Sequence, residues 1–124
     1  MRLWLASCAC ACVTVVGACD PGGCTTSVEP GVVVEIRDGA DDTPLAAGAH
    51  GAVQDGGFAD SLQPYAGAGD QMLSRAAAYE RPGLYTVRVE HVGYADWVAA
   101  GVRVRDGHCH VATAELTARL ERLP

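Results

Sequence analysis

The chain contains no lysine and no asparagine, and its nine basic residues are all arginine. Beyond Arg2 they are scattered at 37, 75, 81, 88, 103, 105, 119 and 122. No basic patch with interleaved aromatics exists, which argues against nucleic acid as a partner. Serine is scarce after the N-terminal segment, at 27, 61 and 74, and Ser74 beside Arg75 has no marked base partner. There is no G-x-S-x-G elbow, no H-E-x-x-H and no phosphate-cradling P-loop. These absences point away from an enzyme and from a cofactor. No stretch reads as a convincing amphipathic helix, and no second apolar run follows the first one.

What is present begins with MRLWLASCACACVTVVGAC. Arg2 is the only charge before Asp20, and Leu3 to Ala18 are apolar or small. A short positive segment followed by an apolar one is the pattern of a secretory signal peptide. The apolar run is about 16 residues, against the roughly 20 that a spanning helix needs. An uncleaved N-terminal anchor and ordinary cleavage to a secreted protein are the alternatives. Val16-Gly17-Ala18-Cys19 resembles the lipobox of bacterial lipoproteins, in which a thiol accepts a diacylglyceryl group and becomes the mature N-terminus. The resemblance implies a signal peptide over 1–18, lipid on Cys19, a short tether over 19–23 and a domain over 24–124. It also implies a location on the exported face of the bacterial cell membrane or outer membrane. Stable anchoring takes more than one acyl chain, and lipoproteins of this kind carry two or three. Cys8, Cys10 and Cys12 would leave with the signal peptide; their spacing lacks the paired clusters and histidines of a zinc module.

The formal net charge is −6, and −7 without Arg2. The 106 residues from Cys19 onward suffice for one small domain. Export places Cys24 and Cys109 where disulfides persist. One intramolecular pairing is then available to them, with free thiols as the alternative. It would close a loop of about 85 residues, for which chain entropy gives roughly 4–5 kcal/mol.

The body reads as strands. VVVEIRD, Val32 to Asp38, is a strong strand former ending at the Asp38-Gly39 turn. A second strand is centred on Ala49 to Val53, followed by the turn Asp55-Gly56-Gly57. Ala59 to Asp70 is rich in Gly, Ala, Pro and Ser and resists assignment. Met72 to Tyr79 favours a strand, although its alanines would also suit a helix. Leu84 to His91 alternates with period two, the signature of a half-buried antiparallel strand. Tyr94 to Ala99, then Val102 and Val104, precede the Asp106-Gly107 turn, and His110 to Leu120 closes the domain. Six or seven short strands separated by regular turns predict an all-β sandwich.

Several segments carry a closer resemblance: VVVEIRDGADDTPLAAGAHGAV, GGF, YERPGLYTVRVEHVGYADW and GVRVRDGHCHVATAELTARL. They are similar to carboxypeptidase regulatory-like domains of the transthyretin-like group, over roughly Cys24 to Leu120. Gly83-Leu84-Tyr85-Thr86-Val87-Arg88-Val89 followed by Gly93-Tyr94 carries it best, and Thr43-Pro44-Leu45 adds to it. His50 and Ala52 depart from the bulkier residues usual in the second strand. The resemblance implies a seven-stranded or near seven-stranded Greek-key sandwich. Cys109-His110-Val111 resembles the ending of small lipoproteins of this type, which implies the 24–109 disulfide.

In that group the fold serves as an accessory domain, a stalk, an adhesion module or a surface for polysaccharide. One relative hydrolyses 5-hydroxyisourate with a C-terminal Tyr-Arg-Gly-Ser; here the last residues are Glu121-Arg122-Leu123-Pro124, and no catalytic residue carries over. The expectation is a non-catalytic envelope module that is structural or binds an envelope protein or polysaccharide. A small-molecule carrier or accessory to a separate enzyme is the alternative.

Candidate ligands are few. His108 and His110, two apart, would share one side of a strand and with Asp106 could hold a metal only loosely. Asp38, Asp41 and Asp42 lack the ordered alternation of a calcium loop. No metal site is expected from either group, and His91, beside Glu90 and Arg88, reads as a strand residue and not as a base. Tyr65 sits in the Gly-rich stretch QPYAGAGD, read as a loop. An exposed aromatic there suits a glycan or protein contact, with loop packing as the alternative.

Overall fold

Alternating apolar residues produce strands whose inner faces meet. Val32, Val34, Ile36, Val53, Val87 and Val89 are fully buried, and Tyr85 and Leu120 nearly so. Sealing one such side chain from water contributes about 1.5–3 kcal/mol. The computed structural model describes residues 23–124, so the 1–18 signal, Cys19 and most of the 19–23 tether lie outside the described residues.

Nine strands are present among the described residues: β1 (Val32–Asp38), β2 (His50–Asp55), β3 (Phe58–Ser61), β4 (Gln63–Ala68), β5 (Gln71–Ala77), β6 (Gly83–Glu90), β7 (Trp97–Asp106), β8 (Val111–Ala112) and β9 (Ala114–Leu120). They form a four-stranded sheet ordered β4-β5-β1-β9 and a five-stranded sheet ordered β3-β2-β6-β7-β8. The described residues are therefore all-β with two sheets, as the alternation predicts. Among the described residues no helix is long and apolar enough to cross a membrane.

The strand count exceeds six or seven for identifiable reasons. The Ala59 to Asp70 stretch contributes to two strands, because Leu62, 3% exposed, turns inward between them and lets the chain cross from one sheet to the other. Tyr94 to Val104, read as two pieces, holds one strand from Trp97, whose register shifts opposite Tyr85 and Val87. The closing stretch breaks at Thr113, whose hydroxyl donates to the Pro30 carbonyl at 2.7 Å.

β1 is the organising strand. It pairs antiparallel with β5 and parallel with β9, from Val32 opposite Ala114 to Asp38 opposite Leu120. At about 3.3 Å per residue β1 spans roughly 20 Å. Its two ends define two poles. The Cys24 to Gly31 segment, the 78–82 turn and residues 107–110 gather near Val32. The 39–49 segment, the 91–96 turn and the C-terminal residues gather near Asp38.

Candidate functional site

Tyr65 lies on β4, an edge strand exposed along its whole length, and not in a loop. The Gly and Ala content that suggests a loop instead permits close, bulged pairing. β4 shifts register against β5 between Pro64 and Ala66 and again between Ala66 and Gly67. A Cβ on Gly67 would stand 2.0 Å from the Gln71 carbonyl oxygen, so only glycine fits that approach. The tyrosine remains 47% exposed. It walls a groove of about 530 Å³ on the outer face of the four-stranded sheet. Val33 and Leu73 give the groove apolar area, Glu35 and Glu115 supply carboxylates, and Thr117 supplies a hydroxyl. Glu35 accepts an ion-paired hydrogen bond from Arg37, which fixes its side chain. The groove thus offers a ring face for stacking beside hydrogen-bond acceptors.

The Val32 pole is stapled. Cys24 and Cys109 form a disulfide across a separation of 85 residues, with Cα atoms 5.1 Å apart. The residues that follow each cysteine meet as a result. His110 Nε2 lies 3.0 Å from the Thr25 hydroxyl, while Nδ1 pairs with the Glu80 carboxylate. A neutral ring that donates from Nδ1 accepts from Thr25 at Nε2. Glu80 also accepts the backbone N–H of Glu29 at 2.9 Å and of Val111 at 3.3 Å. The Glu29 N–H, with His110 and Val111, holds this carboxyl below the usual range, against burial.

Hydroxyl, imidazole and carboxylate stand here in the order used by nucleophilic sites. What the bonds accomplish is to fasten three chain segments: 25–29, the 78–82 turn and 109–111. Ala78 and Glu80 adopt left-handed φ values of 57° and 52° in that turn. Ala78 is held there by its N–H donating to Asp60 Oδ2 at 2.8 Å, and Glu80 by its N–H donating to the Glu29 carbonyl at 2.9 Å. The 24–109 pairing was itself the signal for this cluster, since it brings Thr25 beside His110.

The opposite pole is built on Asp38, which is completely buried. Its carboxylate accepts from the Tyr94 hydroxyl at 2.6 Å, from Arg122 Nε at 2.7 Å and from the backbone N–H of Ala40 at 2.7 Å and Asp41 at 3.1 Å. The Tyr94 hydroxyl foremost, with the Ala40 and Asp41 N–H groups and Arg122, holds the carboxyl far below its ordinary value against burial. The same contacts push Tyr94 and Arg122 upward, the first through Asp38, the second through Tyr94 and then Asp38. Arg122 also reaches Asp41, and Arg119 pairs with Asp42. A cleft of about 400 Å³ lies beside this cluster.

The remaining sequence candidates separate. Asp38, Asp41 and Asp42 do come together, but each is engaged with arginine. His108 and His110 lie on an irregular segment and not on a strand, because β7 ends at Asp106 and a Cβ on Gly107 would meet the His110 carbonyl at 2.2 Å. Among the described residues no group of three or more His, Cys, Asp or Glu could hold a metal ion. His91 packs edge-on against Tyr94 with ring centroids 5.0 Å apart. Cys19 lies outside the described residues. No family model matches the chain, and no curated protein matches it.

Proposed function

We propose that the chain is a non-catalytic cell-envelope lipoprotein module, anchored through lipid on Cys19, that binds a surface polymer or an envelope protein through the Tyr65 groove. Its sandwich is on this reading a transthyretin-like Greek key, a carboxypeptidase regulatory-like domain of near seven principal strands. The observation that carries the binding role is Tyr65, a half-exposed ring that lines one groove with the Glu35 and Glu115 carboxylates across the outer face of the sheet. A ring face flanked by acceptors suits polyhydroxylated polymers, whose C–H faces stack and whose hydroxyls donate. The disulfide at Cys24 supports the display role, because it staples the domain five residues beyond Cys19. The space between the sheets is taken by Tyr85, Ile36, Leu120 and valines, which favours a surface contact over a ligand carried inside.

Two measurements test the two halves. The mature protein made in a bacterial host should have the mass of a diacylated or triacylated chain beginning at Cys19. A chain beginning elsewhere, or unacylated, refutes the anchor. Retention of the protein on immobilised cell-wall polysaccharide should fall severalfold in Tyr65→Ala while its melting temperature holds. Unchanged retention, or none by the parent, refutes the polymer contact.

A further inference from the structure

Eight arginines lie among the described residues, and three of them, Arg37, Arg75 and Arg81, are half-buried. Arg37 pairs with Glu35 and Asp42, and Arg81 with Asp55. Arg75 has no carboxylate partner among the described residues. Its stem leaves β5 opposite Val34 and faces inward at the rim of the sandwich, between the two sheets. There Nε donates to the Ala46 carbonyl at 2.7 Å, one terminal nitrogen to the Leu62 carbonyl at 3.3 Å and the other to the Ala47 carbonyl at 3.4 Å.

A guanidinium has five N–H donors in a planar fork. Three are spent on these carbonyls, which fix the plane and leave one on each terminal nitrogen. Carbonyl dipoles orient the cation without cancelling its charge, and a partly desolvated charge without a counter-ion is costly.

The guanidinium lines a cleft of about 430 Å³ together with His50, Ser61, Gln63, Arg88 and Glu90. The outer-face register of β2 and β6 puts them there: His50 stands opposite Glu90, and Ala52 opposite Arg88. Arg88 is neutralised by Asp96 at 2.8 Å, and His50 Nε2 lies 3.0 Å from Glu90. With Arg88 paired to Asp96, Arg75 is the lining cation that carries no ion pair to a carboxylate among the described residues. The geometry points to a binding site for an oxyanion, a carboxylate or phosphate carried on a body of sugar size, with the Arg75 fork taking two oxygens. Such forks bind carboxylate and phosphate in a bidentate fashion. Ser61 and Gln63 on the rim supply hydrogen bonds to the rest of the ligand. This site is separate from the Tyr65 groove and does not depend on its role.

The test is an NMR titration of the full-length chain in detergent, at constant ionic strength. The probes are glucuronate and inorganic phosphate, with glucose as the neutral control. Expected are saturable shifts at the Arg75 Nε–H, Gly51 and Leu62 for at least one anion, and none for glucose. The anion that saturates at lower concentration identifies the oxyanion source. Arg75→Gln should weaken binding by about tenfold or more, and Arg75→Lys should restore only part of it. Because Arg75 also ties backbone, a second variant is needed: Arg88→Gln, at the exposed rim, should keep the fold and, by leaving the Asp96 carboxylate unpaired beside the cleft, weaken anion binding about threefold. Shifts that fail to saturate, that spread evenly over all arginines, or that persist unchanged in the Arg75→Gln or Arg88→Gln chains overturn the site.

Discussion

Tyr94 donates its hydroxyl to the fully buried carboxylate of Asp38 at 2.6 Å, joining the turn after β6 to the end of β1 across 56 residues. Arg122 donates to the same Oδ2 atom and so locks the C-terminal segment to both. The bonds all favour the ionised carboxylate, which fixes the sign of its pH effect. A carboxyl whose pKa is lowered by folding adds stability above its unfolded value, about 4, and loses it as pH falls from there through the lower native value. Tyr94→Phe removes the foremost of these donors. The variant should melt at a lower temperature at neutral pH. Its acid unfolding, followed by near-ultraviolet circular dichroism, should begin at higher pH than in the parent. An unshifted acid transition would show that Asp38 is not what fails in acid.

The Cys24–Cys109 link closes a loop of 85 residues around most of the domain. Removing it, by reduction or by paired Cys→Ser substitution, should cost roughly 4–5 kcal/mol. Urea unfolding with and without reductant measures this directly. The loss should also release the Thr25–His110 contact, visible as a change in the His110 ring resonances.

Tyr85 is 1% exposed, yet its hydroxyl donates to the Arg81 carbonyl at 2.7 Å and accepts from the Arg81 guanidinium. Tyr85→Phe keeps the ring packed edge-on to Phe58 and removes only that bridge. The expected loss is about 1–2 kcal/mol in chemical denaturation. A neutral result would mean that water replaces the hydroxyl at the 81–85 turn.

Gly67→Ala places a methyl group against the Gln71 carbonyl oxygen. The β4–β5 pairing should yield, at about 1–3 kcal/mol. Amide exchange should quicken along residues 63–71 while β1 and β6 keep their protection. If the Tyr65 groove binds a polymer, its retention should drop in this variant too, because the bulge aims the ring.

Most of the strand framework was legible because it rests on local pattern. Val32 to Asp38 and Leu84 to Glu90 alternate or saturate with apolar residues, and the glycine turns at 39, 56 and 107 bracket strands as their chemistry requires. The stretch 59–70 was not legible. Phe58 to Ala68 lacks a strong alternation, and its two strands exist because Leu62 is buried between sheets and β5 offers an edge to pair with. For the same reason Tyr65 read as a loop residue when it stands on an edge strand.

The sequence by itself determined an all-β domain of alternating strands, an apolar run from Leu3 to Ala18 ahead of Cys19, and two further cysteines available to one another. These are properties of composition and of spacing between near neighbours. Only the tertiary structure decided that His110 meets both Thr25 and Glu80, that Asp38 is buried under Tyr94 and Arg122, and that Arg75 sits among backbone carbonyls. Each of those contacts joins residues 13 to 85 positions apart. No local periodicity encodes such a distance; it is set by which strands neighbour one another and in what register, and that is a choice the whole core makes at once.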